Sequence, residues 1–157
     1  MSTEDNPFAG DRDRHEIWEM LVSRDIAAFV TADWRMVADD FIAPGFLGIH
    51  AHRSANPDEW TAAFPTLDAY RTEWLRQAAE TAATTFAEPL GPAIHRATNL
   101  DMIEISGETA VAHKKFDGSI KLADGSADVL NWQTLYFCRR DGGRWKISSF
   151  VGYMAYR

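Results

Sequence analysis

Between Arg12 and Ala32 the apolar positions recur at intervals of three and four. Ile17, Trp18, Leu21, Val22, Ala28 and Phe29 gather on one side of a helical wheel. The spacing predicts a long first helix. Asp33 suits the N-cap of a second, running from Trp34 to about Phe41, because its short acceptor satisfies a first-turn N–H. "AP" at 43–44 ends that helix, since a residue before proline avoids the α region. "GFLGIHA" then reads as a short strand. "NPDEW" carries a capping asparagine followed by proline, which opens a short helix over 57–64. Leu67, Tyr70, Trp74, Ala78 and Ala82 mark another long helix over 66–86, broken by "EPLGP".

Beyond Pro92 the period changes to two. Segments near 94–106, 109–120, 127–139 and 144–156 read as strands. "SGET" (106–109) and "DGGR" (141–144) are hairpin turns, and "DG" at 117–118 and 124–125 closes another. Helices first and a strand meander afterwards predict a single α+β domain over 12–157, with helices on one face of an antiparallel sheet. The first eleven residues are polar and acidic, unlike a signal peptide, and are expected to form a mobile or late-packing tail.

Length and composition narrow the function. The 157 residues are enough for one real core, and apolar residues make up 46% of them. Six tryptophans also suffice to line a cavity. The 16 basic and 23 acidic residues give a net charge of −7, which argues against nucleic acid and anionic membrane surfaces as partners. The single cysteine, Cys138, excludes an intrachain disulfide and makes the cytoplasm the expected compartment. No apolar run reaches the roughly 18 residues of a membrane span.

Candidate chemistry begins with Asp25, near the centre of the apolar arc of the first helix. A carboxylate there either faces a cavity and is tuned for proton transfer, or forms an ion pair with an arginine or a bond to an indole N–H. His50 and His52 lie two apart on a strand and would share a face. A metal pair would need a third ligand, for which Glu59 is available, and no metal is expected. His50 is the expected inward histidine and His52 the rim one. A two-residue "GE" turn would place Asp101 across from Lys114, either as a pocket acid or in a cross-strand salt bridge. His113 would then point away from the pocket. Tyr70 and Trp74 either pack in the core or cap the cavity mouth. Trp132 alternates with Asn131 and Gln133, so the three do not share a face.

The stretch "AAFVTADWRMVADDFIAPGF" and the terminal "RRDGGRWKISSF" resemble the nuclear transport factor 2-like superfamily over about 12–156. That resemblance implies a cone of curved antiparallel sheet closed by three helices, with the first helix as one pocket wall. The superfamily includes dehydratases, isomerases, cyclases and binding domains. "DWRMVADDFIAPGFLGIHAHR" also resembles the corresponding part of scytalone dehydratase. By that resemblance His50, His95, Asn131 and Gln133 are pocket positions, while Phe29 and Val30 stand where the family has a tyrosine and an aspartate. The implied function is acid–base chemistry on a small, largely apolar carbonyl or phenolic compound, without metal or nucleotide cofactor. Asp25 and His95 would exchange protons, with His50 assisting, and Phe29, Tyr70, Trp74, Asn131, Gln133 and Asp101 would contact substrate. A non-catalytic binding or dimerisation domain is the alternative. A homodimer through the outer sheet face is expected, with Trp132, Thr134 and Tyr136 on the covered face.

Overall fold

Asp11 opens the first helix by accepting from the Arg14 backbone N–H, as an N-cap aspartate should. The computed structural model describes residues 5–156. Helix α1 spans 12–30, with a π-helical stretch at Glu19–Arg24 between α-helical Arg12–Trp18 and Asp25–Val30. Asp33 does act as a cap, but it opens only the 3-10 turn Trp34–Met36, which an uncapped second turn, Ala38–Asp40, follows instead of a second long helix. The tail is not loose where it is described. Asn6 is buried and donates to the His15 carbonyl and to Glu19, and Phe8 packs on the core. Residues 1–4 of that expected tail lie outside the described residues.

Strands β1 (Leu47–His50) and β2 (Thr61–Phe64) precede α2 (Leu67–Ala82) and α3 (Leu90–Ala97). Strands β3 (Thr98–Ser106), β4 (Thr109–Lys121), β5 (Ala127–Asp141) and β6 (Arg144–Met154) follow. Together they make one curved, unclosed sheet in the order β2-β1-β6-β5-β4-β3. The fold is α+β with three helices, as expected. The last four strands pair antiparallel through tight turns at Ser106↔Thr109 and Asp141↔Arg144, with Gly107 at φ +59.

Four further expectations need correction. The sheet is mixed, because β1 runs parallel to β6, with Leu47 opposite Ser149. A hairpin would have forced antiparallel pairing, but β1 and β6 are separated by β2, two helices and three strands, which leaves their relative direction free. The segment 57–64 is a single turn, Pro57–Glu59, followed by strand β2, because Phe64 and Thr61 find partners on β1. The segment 94–97 is helical. Leu90, Ala93, Ile94 and Ala97 carry a helical spacing, and Pro92 falls within the first turn, where its missing N–H costs nothing. Of the two "DG" pairs only 124–125 makes a turn. Gly118 lies within β4, where a Cβ would come within 2.8 Å of the Ala97 side chain of α3.

The helices cover the inner face of the sheet. Ile17 and Leu21 of α1, with Ala93 and Ala97 of α3, pack on Ala110, Ala112, Cys138 and Ile147. Burial pushes the Cys138 thiol up to about 12. Asp40 is 2% exposed and receives both Arg24 and Arg144, joining α1, its following turn and the start of β6. A second aromatic cluster forms where Phe46, Phe64 and Phe150 meet Tyr70 of α2. Gly48 sits beneath it, with the Phe150 and Phe64 rings 2.8–2.9 Å from where a Cβ would stand. Gly48→Ala should therefore destabilise the fold by about 1–3 kcal/mol through overpacking. Urea unfolding checks this, and an unchanged midpoint would show that the rings yield without cost.

Candidate functional site

A cavity of about 320 Å³ opens between the inner sheet face and the helices. Alternation along β4 puts Ala110, Ala112, Lys114 and Phe116 inward, and pairing carries the same parity to β5. Lys114 stands opposite Thr134, Phe116 opposite Trp132 and Ala112 opposite Tyr136. Trp132, Thr134 and Tyr136 therefore line the cavity. The expectation that these three lie on an outer, partner-covered face is wrong. Asn131 and Gln133 take the outer face instead, where Asn131 donates to Asp117 and Gln133 lies 2.6 Å from the His113 ring.

Lys114 is fully buried. Its Nζ donates to the Leu21 carbonyl at 2.5 Å and to Asp25 Oδ2 at 3.1 Å. Leu21 belongs to the π-helical stretch, whose widened turn disturbs the regular carbonyl pairing of the helix. The ammonium also sits over the Phe116 ring at 5.1 Å and near Tyr136 at 6.0 Å. Asp25 lines the cavity and its side chain is 33% exposed there. The arginine-held carboxylate is thus Asp40, and the cavity carboxylate is paired with lysine.

The walls are aromatic. Phe29 meets Trp74 edge-on at 5.6 Å, and Tyr70 closes the side nearest Phe64 and Phe150. Burial, with the nearby Asp25 charge, raises the Tyr70 and Tyr136 phenols well above the ordinary value, so both hydroxyls stay protonated. Neither hydroxyl has a hydrogen-bond partner among the described residues.

At the rim, rings stack in a row from His52 through His50, Tyr153 and Trp132 to Phe116, with centroids 4.2–5.3 Å apart. Tyr153 donates to Gln77, and the Arg53 guanidinium lies 5.3 Å over Trp132. His52, Arg53 and Tyr153 all have positive φ, a clustering of backbone strain at the cavity mouth. The His52 backbone N–H donates to His50 Nδ1, so His50 is occupied with its neighbour and does not line the cavity. No three His, Cys, Asp or Glu side chains converge as a metal-binding group among the described residues.

Of the residues singled out from sequence, the cavity brings together Asp25, Phe29, Tyr70 and Trp74. It leaves out His50, His95, Asp101, Asn131 and Gln133. His95 lies on α3 and faces a separate recess beside Trp18 and Leu100, where its Nε2 is buried without a partner among the described residues. It is not within the Asp25 site. Asp101 is exposed because β3 carries one extra residue between Asn99↔Lys115 and Met102↔His113, a bulge that breaks the simple register with Lys114. Lys114, Thr134 and Tyr136 were missed as site residues. Lys114 was readable as the one charged member of an otherwise apolar inward set on β4.

Solved structures share this architecture. An NTF2-like protein of unknown function from Shewanella baltica superposes with a TM-score of 0.55 at 14% identity, covering 90% of this chain and 92% of that one. A protein from Novosphingobium aromaticivorans, provisionally named an aromatic ring hydroxylase, gives 0.59 at 16%, covering 90% and 87%. Another from the same organism, provisionally named a scytalone dehydratase, gives 0.55 at 15%, covering 87% and 80%. The chain therefore has the nuclear transport factor 2-like fold. No protein-family description matches it, and no curated protein does.

Burial holds His50 and His95 below the ordinary histidine value of 6.5, and the neighbouring His52 adds to this at His50. The unfolded chain then takes up protons more readily than the folded one. The folded state is unpenalised above pH 6.5 and loses stability as pH falls through that value. A His50→Asn, His95→Gln double variant should lose melting temperature less steeply than the parent between about pH 7 and about pH 5. Parallel curves would show that the two rings do not set the acid response.

Proposed function

We propose that the protein binds a small, flat, largely apolar carbonyl or phenolic compound in this cavity and exchanges a proton with it through Asp25. The observation that carries the reading is the juxtaposition of a cavity-facing carboxylate, a buried lysine that fixes it, and two unpartnered phenol hydroxyls. Aromatic walls supply most of the binding energy, and a few convergent polar groups supply orientation. A carboxylate held against a carbon next to a carbonyl removes a proton. The Tyr70 and Tyr136 hydroxyls would donate to the oxygen as negative charge gathers there. The Asp25–His95 exchange expected from sequence gives way to an Asp25–Lys114 pair.

Dehydration, isomerisation and aldol-type cyclisation all share that proton transfer. The fold alone does not choose among them, because the same architecture serves many functions. A non-catalytic binding domain is the second reading, supported by the direct contact of Lys114 with Asp25, which already engages one carboxylate oxygen. A cytoplasmic setting accords with one buried thiol and no disulfide partner. Among the described residues no helix is long and apolar enough to cross a membrane.

The two readings separate by NMR. Incubating the protein with cyclohexanone in deuterated water should exchange the protons next to the carbonyl faster than buffer does. Asp25→Asn should remove about 10²–10⁴-fold of any such acceleration, the usual worth of a general base, measured at a temperature where circular dichroism shows the variant still folded. Exchange no faster than buffer, with quenching of tryptophan fluorescence by 2-naphthol retained, would leave the binding-domain reading.

Homodimerisation belongs to the opposite sheet face, where Val111 and Phe137 are exposed across from each other and Leu135 lies beside them. Sedimentation velocity should show a two-chain particle that Phe137→Glu converts to single chains. A single-chain parent at micromolar concentration would reject this assembly.

A further inference from the structure

We propose that Lys114 captures an aromatic aldehyde covalently, as an imine formed at the cavity floor. The inference rests on the reading of this cavity as a small-molecule site and goes further by assigning a nucleophile. The chain has four lysines, of which Lys114 alone faces the cavity. Its neighbour Lys115 points to the other sheet face, opposite Gln133.

Burying an ammonium is costly unless it is paired and hydrogen-bonded. Here the Leu21 carbonyl, Asp25 and the Phe116 and Tyr136 rings all serve a cation at one position. An imine product keeps that charge where it already is. Asp25, 3.1 Å from Nζ, accepts a proton from the ammonium, and the free amine adds to the carbonyl carbon. A second amine proton passes to the carbinolamine oxygen. Asp25 then returns its proton to that hydroxyl, and the C–O bond breaks to release water. The nitrogen becomes a protonated imine beside the restored carboxylate. One ammonium, one carboxylate and one aldehyde become one iminium, one carboxylate and one water, with no oxidant or reductant. Lysine amines form such adducts with carbonyl substrates.

The access selects the substrate class. The Lys114 side chain is only 1% exposed, so a carbonyl must approach end-on with little bulk beside it, which favours an aldehyde over a ketone. The Phe29, Trp74 and Trp132 walls favour a flat ring behind it.

The test treats the whole protein with benzaldehyde and sodium cyanoborohydride, which reduces the imine to a stable benzylamine, and maps the adduct by peptide mass spectrometry. Lys114 should carry the benzyl group several-fold more than Lys115, Lys121 or Lys146. Lys114→Arg should abolish that excess while keeping the charge, and Asp25→Asn should slow labelling. Benzyl alcohol, which cannot form an imine, serves as the binding control through tryptophan quenching. Benzyl alcohol binding without enrichment at Lys114 overturns covalent capture and leaves the pocket reading standing. Absence of both overturns the two together.

Discussion

A single ammonium ties the two halves of this molecule together. Lys114 lies in the middle of the sheet and reaches across the core to the Leu21 carbonyl, 93 positions earlier in the chain. A buried cation demands partners, and the first helix supplies both of them, one from its backbone and one from Asp25. The π-helical stretch stands at the point where that demand is met. It combines a local irregularity in the helix with a polar contact that a regular apolar stripe would not provide. Because Lys114 must face inward, the parity of β4 is settled, and with it the faces of Trp132, Thr134 and Tyr136 on β5.

Two buried or half-buried acids illustrate how the same residue type is divided between support and site. Asp40 is shut away and shared by two arginines, which ties α1 to the β5–β6 hairpin end of the sheet. Asp25 is half open, shared with one lysine, and turned to a cavity in which the Tyr70 and Tyr136 hydroxyls lack partners among the described residues. The phenols of Tyr70 and Tyr136 are kept protonated by their surroundings, so the cavity presents donors beside the lysine-paired Asp25 carboxylate within aromatic walls. That combination is what the proposed proton transfer draws on.

Much of the frame was legible in the sequence because it depends on local periodicity. The three-and-four spacing of the first helix, the stripe from Leu67 to Ala82, and the tight turns at Gly107 and Gly142 each rest on neighbours in the chain. Asp25, Phe29, Tyr70 and Trp74 were found the same way, as inward positions of predicted helices. Short segments were harder. "GPAIHRA" has both an alternating and a helical reading, and packing of Ala93 and Ala97 on β4 decided for helix. That placed His95 away from Asp25. "TAAF" became a strand only because β1 offered a free edge.

The sequence by itself determined the order of helices and strands, the inward faces of the two long helices, and the presence of one acid on an apolar arc. These follow from the repeat of a side chain along its own element. Only the tertiary structure decided which partner Asp25 has, which face of β5 meets the cavity, and that β1 joins β6 in parallel. The reason is that strand parity flips with a single residue of slip. "NWQTLYF" carries polar and aromatic groups on both of its faces, so no alternation within it singles out the inner one. The choice came from pairing with β4, and ultimately from the contact between Lys114 and the first helix.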